Sequence, residues 1–246
     1  MWVEGAVPVD DPTELEWLLP RFTGTHRQLT MHVPEGYPAH CRILHRPDPQ
    51  GGPDRPPLRW ADIAAHTGAI IHAGVQWHRL IGSATTDSDA GTRSGDLYAE
   101  WNGYAPSTGQ LDTTQFHIVA DILTQHTDTA DDVFFGFWEG NGRINVNDGT
   151  FFPKVDPPRF RLGGREQIVV RGDLSAVSCV RPVPWPTPNA MWPADRSWYL
   201  ATEVDFDSTI IAGDQTLIHD LIAHPELEAL RAPLDLDLTC YGDTVN

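Results

Sequence analysis

Trp192-Pro193-Ala194-Asp195-Arg196-Ser197-Trp198-Tyr199-Leu200-Ala201-Thr202-Glu203-Val204-Asp205-Phe206-Asp207-Ser208-Thr209 is the densest stretch of the chain. From Trp198 to Phe206 it alternates with period two. Trp198, Leu200, Val204 and Phe206 fall on one face with Thr202 between them, and Tyr199, Ala201, Glu203, Asp205 and Asp207 fall on the other. Such alternation predicts a half-buried strand, the building block of an antiparallel sheet with one wet face. It would place Glu203, Asp205 and Asp207 in a row, each roughly 6.5–7 Å from the next, because alternate strand residues are two rises apart. At that spacing a divalent cation or an arginine fits between neighbouring carboxylates. A solvated polar face is the plainer reading of the same pattern.

Working outward, the chain alternates short helical and extended signals. Asp11-Pro12-Thr13-Glu14 starts a short helix before Pro20, with Asp11 as cap. Arg27 to Val33 and Ala39 to His45 read as two strands around the turn-forming Pro34-Glu35-Gly36-Tyr37-Pro38. Leu58 to His66 reads as an amphipathic helix ended by Gly68, and Leu111 to His126 as a helix capped by Asp112 or Thr113. Asp131 to Trp138 and Glu166 to Gly172 read as buried strands, and Pro182 to Pro193 as an extended proline-rich connector. Gly213-Asp214 opens a last helix broken at His224-Pro225, with a further turn over Glu226 to Leu230 and a possible strand over Leu236 to Tyr241. Polar and Pro/Gly-rich composition predicts mobile loops near 46–57 and 83–96. These signals predict one α+β domain over 1–246, a mainly antiparallel sheet flanked by short helices.

Composition limits the partners. The chain has 246 residues, with 17 Lys plus Arg against 34 Asp plus Glu and a formal net charge of −17. Such a surface is repelled by phosphate backbones and anionic lipid, which argues against nucleic acid and membrane and in favour of a basic protein partner. No apolar run approaches the roughly 18 residues of a membrane helix, and Met1-Trp2-Val3-Glu4 does not open as a signal peptide, so the expected compartment is the cytoplasm. Cys41, Cys179 and Cys240 are widely spaced and odd in number, which predicts reduced thiols and no zinc site. The chain contains no G-x-S-x-G, G-x-x-x-x-G-K-[ST] or H-E-x-x-H motif.

The segment Trp192 to Trp198 with Ala201 to Thr209 resembles a group of uncharacterised actinobacterial proteins sharing a W-P-x-D-R-x-W…A-T-E-x-D-x-x-S-T pattern. Arg59-Trp60-Ala61-Asp62-Ile63 and Phe137-Trp138-Glu139-Gly140 are similar to other parts of that group. The resemblance implies a lineage and no activity. The Pro34-Glu35-Gly36-Tyr37 turn, the acidic charge and the α+β layout also resemble SMI1/KNR4-type immunity proteins.

Three functions follow from these readings. The first is a non-enzymatic acidic interaction protein, an immunity-like protein or adaptor that binds a basic partner. The second is a hydrolase using Mg²⁺, Mn²⁺ or Ca²⁺ on Glu203, Asp205 and Asp207, whose hard oxygens suit those ions. The third is a small-ligand module in which Trp185, Trp192 and Trp198 face the Trp138-Glu139-Gly140-Asn141-Gly142 turn, with Asp195 and Arg196 as polar contacts. The first requires no cofactor and leads.

Overall fold

Apolar β-rich runs dictate the architecture. In the computed structural model, which describes residues 5–25, 28–47, 58–82, 105–140, 157–175 and 187–246, nine of them form one sheet. They are β1 (Val7–Pro8), β2 (Ala39–Leu44), β3 (Val133–Trp138), β4 (Arg159–Leu162), β5 (Arg165–Gly172), β6 (Ala190–Pro193), β7 (Tyr199–Ala201), β8 (Ser208–Gly213) and β9 (Ala229–Arg231). The order is β1-β5-β3-β6-β7-β8-β2-β9, with β4 beside β1 on the outer edge of β5, and every pairing is antiparallel. The fold is α+β, as the sequence predicts.

Both faces of the sheet are covered. On one face Cys41, Ile43, Phe135, Val170, Met191, Leu200 and Ile211 pack with α3 (Thr113–Gln125) and α4 (Gln215–Ala223). On the other, Phe134, Val169, Trp192, Tyr199 and Ile210 meet Leu15 and Leu29, from the 3-10 turns Pro12–Leu15 and Leu29–Met31, and Leu18, which precedes the 3-10 turn Leu19–Arg21. A third cluster joins Leu44 to α1 (Trp60–Thr67) and α2 (Trp77–Leu80). With both faces buried, the strands need no wet side, and β2 and β8 are buried at every position.

Of the two expected caps of α3 it is Asp112 that serves, and α4 is capped at its expected start, Gly213-Asp214, by Asp214. Asp112 and Asp214 accept from the backbone N–H three residues on, and Gly68 closes α1 at φ 79°. Replacing Asp214 by Ala should cost about 1 kcal/mol of stability in a urea titration, the usual worth of such a cap. The helix expected at Asp11 is a 3-10 turn, with Asp11 accepting from the Thr13 N–H as cap and Pro12 in its first turn.

Several extended readings are corrected. Arg27 to Val33 is no strand where described, and β2 pairs β8 and β9 instead of forming a hairpin with it. Glu226 to Leu230 runs into β9 rather than forming a helical turn, and Leu236 to Tyr241 makes a single bridge, Asp237 to Gln28. The proline connector ends in β6, a central strand: its tertiary partners, β3 and β7, override the proline signal. The central alternation holds from Trp198 to Ala201 and stops at Thr202. Val204 and Asp205 instead form a turn closed by the Phe206 N–H on the Glu203 carbonyl. Acidic residues have poor strand propensity, and three of them in five positions suit the turn between β7 and β8. The expected loops lie outside the described residues except at Arg46 and Pro47.

Candidate functional site

The β7–β8 connection faces the tip of the β4–β5 hairpin. That tip is Gly163-Gly164, both at positive φ (57° and 82°), between paired Leu162 and Arg165. This is the two-residue hairpin geometry that glycine permits. Between them lies a cleft of about 390 Å³, lined on its walls by Met31, His32, Trp138 and Phe206 and on its rim by Arg161, Arg165, Glu166, Glu203 and Asp205.

Arg165 organises the rim. Its Nε and Nη2 both donate to Glu203 Oε1, Nη2 also donates to Asp205 Oδ2 at 2.6 Å, and its guanidinium lies 4.8 Å over the Trp138 ring. The Glu203 hydrogen bond holds the guanidinium above its ordinary pKa, against the pull of partial burial. The Asp205 side chain is 76% exposed, so that arm of the cluster is screened by solvent and worth at most about 1 kcal/mol.

The expected row of carboxylates is therefore corrected. Glu203 and Asp205 converge on one arginine, while Asp207 turns away to the buried Arg42, 3.1 Å from its Nη2. The reason is the turn itself, which abolishes the period-two placement. Among the described residues, no three His, Cys, Asp or Glu side chains are grouped to hold a metal ion.

The expected tryptophan pocket is not assembled either. Trp192 is 1% exposed, stacked 5.3 Å from Phe134 and 5.6 Å from Tyr199 in the core. Trp198 is buried on the opposite face of the sheet, and its indole N–H donates to the Leu123 carbonyl. Trp138 does line the cleft, but Glu139 is bonded to Arg159, and Asn141 and Trp185 lie outside the described residues. Asp195 ties the β6–β7 turn to the α3–β3 connection, accepting from Thr127 Oγ1, Asp128 N and Ser197 N. Arg196, at φ 61°, stacks 4.5 Å over Trp17.

No protein-family model, curated protein or solved structure matches this chain.

Behind the cleft is a smaller recess, about 10 Å³, sharing His32, Gly163 and Glu203 with it and also lined by Gln167, Asn189, Tyr199 and Thr202. A directed chain of hydrogen bonds runs away from it. The Ser107 carbonyl accepts at 2.7 Å, so His45 Nδ1 carries the proton and His45 Nε2 accepts from Thr209 Oγ1 at 2.9 Å. Thr209, its own proton spent on His45, accepts from Thr202 Oγ1 at 2.8 Å. Burial holds His45 down to about 4, so the imidazole is neutral near pH 7 and this direction is fixed.

Sequence reasoning reached Trp138, Glu203 and Asp205 and missed Arg165, Arg161, His32 and Gln167. The available signal was Gly163-Gly164 between two extended segments, a hairpin that places Arg161 and Arg165 at one tip. Nothing local connects that tip to Glu203, 38 residues away from Arg165.

Proposed function

We propose that this protein is an acidic binding module that takes a basic protein segment at the cleft between the β4–β5 tip and the 202–207 turn. The observation that carries this reading is the seat of Arg165 itself. A guanidinium lies against an indole face and between two carboxylates, the set of contacts that binds a cationic side chain. The rim charges, three carboxylates against two guanidiniums, leave one negative charge at the mouth, on a chain of net charge −17. A field of that sign steers a cationic partner and raises the association rate. An immunity-like or adaptor role would be one form of such binding.

Calorimetric titration with lysine-rich, arginine-rich, neutral and acidic decapeptides tests the reading. Basic peptides should bind, more weakly as salt rises, and Asp205→Asn should weaken them several-fold at a stability cost of at most about 1 kcal/mol, because that carboxylate is exposed. Equal binding of basic and neutral peptides, or indifference to Asp205→Asn, would overturn it.

A further inference from the structure

The recess behind the cleft is lined by the polar residues Gln167, Asn189 and Thr202, which make none of the rim contacts. Gln167 is 5% exposed, and its amide Nε2 donates to the Leu162 carbonyl at 3.2 Å, which identifies the other atom as the oxygen. That oxygen, Oε1, is buried and has no hydrogen-bond partner among the described residues. A buried carbonyl without a donor costs free energy and calls for an explanation, of which a bound donor is one. Gly136 makes room for it, since a Cβ there would collide with Oε1. A second acceptor is Thr202 Oγ1. The His45–Thr209 chain takes its proton, so its lone pairs are left to accept from an incoming donor. Glu203, a residue that lines both recess and cleft, is the third.

Three acceptors of this kind match the three N–H donors of a primary ammonium. Size agrees: about 10 Å³ admits a group the size of one water, which an ammonium is and a planar guanidinium is not. The outer cleft offers Met31, Phe206 and Trp138 to an aliphatic stem of the kind lysine buries behind its charged head.

We infer that the recess is a lysine-reading site: the ammonium of a partner's lysine enters it and bonds Gln167 Oε1, Thr202 Oγ1 and Glu203, with the stem laid along the cleft. This rests on the reading of the cleft as a seat for a basic segment and adds which cation it selects.

Two measurements test it. In the first, the unmodified protein is titrated with n-butylammonium, n-butylguanidinium and n-butyltrimethylammonium chlorides at fixed ionic strength, followed by calorimetry. n-Butylammonium should bind at least about tenfold more tightly than the other two, which carry the same charge but lack either the compact shape or the N–H donors. Equal binding of all three, or none by n-butylammonium, overturns the assignment, and no variant has to fold for that result. In the second, lysine- and arginine-rich peptides are compared on the wild type, Thr202→Val and Gln167→Met. A lysine preference lost by about tenfold in either folded variant supports the recess, whereas Asp205→Asn should weaken both peptides alike. If lysine and arginine peptides bind equally and the variants change neither, the recess assignment falls and the basic-segment reading stands. If no basic peptide binds, both fall.

Discussion

Arg42→Met should cost about 3–5 kcal/mol of unfolding free energy, which a shift of the urea midpoint would read. Arg42 lies on β2, 1% exposed, with every nitrogen engaged. Its Nε donates to Ser208 Oγ at 2.8 Å, Nη1 to the carbonyls of Ala73 and Val75 at 2.9 and 2.7 Å, and Nη2 to Asp207 at 3.1 Å. Burial pushes the Asp207 carboxyl up while the guanidinium holds it down. Methionine fills the aliphatic space but leaves the Asp207 carboxylate without its counter-ion and two buried carbonyls without donors. The penalty is therefore the desolvation of the groups left behind more than the worth of the pair itself. Asp207→Asn should cost less, because asparagine still accepts from Arg42 and the guanidinium keeps three neutral partners. A double change, Arg42→Met with Asp207→Leu, should fall well short of the sum of the single effects, since neither site then holds an orphaned charge. A double-mutant cycle with strictly additive losses would show that Arg42 acts only as packing.

That pair also shows how far the sequence could be read. Ala39 to His45 is legible as a strand because its residues favour extended structure and glycine and proline flank it. The charge of Arg42 inside that strand would suggest a polar face, yet β2 is central, between β8 and β9, and buried throughout. The same blindness governs the Trp198–Asp207 stretch. Its alternation correctly identifies a sheet strand, but alternation reports only that successive residues differ in polarity. It does not distinguish a strand with one wet face from a short buried strand followed by an acidic turn. Helix caps were legible at Asp112, Asp214 and Gly68 because capping is a local transaction between a side chain and backbone three residues away. The recess was not legible, because Gln167, Thr202 and His45 come from three distant strands or their ends and meet only through the sheet order. Glutamine and threonine in strands carry no chemical signature until the register places them face to face.

The second large effect is acid destabilisation that begins while the carboxylates are still ionised. His45 is buried, donates from Nδ1 to the Ser107 carbonyl and accepts at Nε2 from Thr209. Burial lowers it to about 4 in the folded protein, against about 6.5 when the chain unfolds and the ring meets water. Because the folded value is the lower one, the unfolded chain binds the proton first as pH falls. Stability is then fully present above about pH 6.5 and is lost progressively down to about pH 4, at up to 1.4 kcal/mol per pH unit and about 3 kcal/mol in all from this one ring. Burial moves His40 and His78 in the same direction, which steepens the fall. Asp207 and Glu228 oppose it over part of the range, because burial raises both and the folded state then takes up protons more readily than the unfolded chain. Asp243 enters only later. Burial works to raise it, but hydrogen bonds from Asn246, Gln76 and Val245 outweigh that and hold it at about 2, so its contribution disappears below about pH 4. Urea unfolding at half-unit steps from pH 7.5 to 4 should show the decline. His45→Gln, which keeps a donor and an acceptor and removes the titration, should flatten the slope between pH 6 and 4.5 by close to one proton's worth. In the wild type the His45 ring carbons, followed by NMR, should titrate with a midpoint near 4. A midpoint near 6.5 with an unchanged slope in His45→Gln would mean that the ring is solvated, and the fixed direction of the chain from Thr202 to Ser107 would be lost with it.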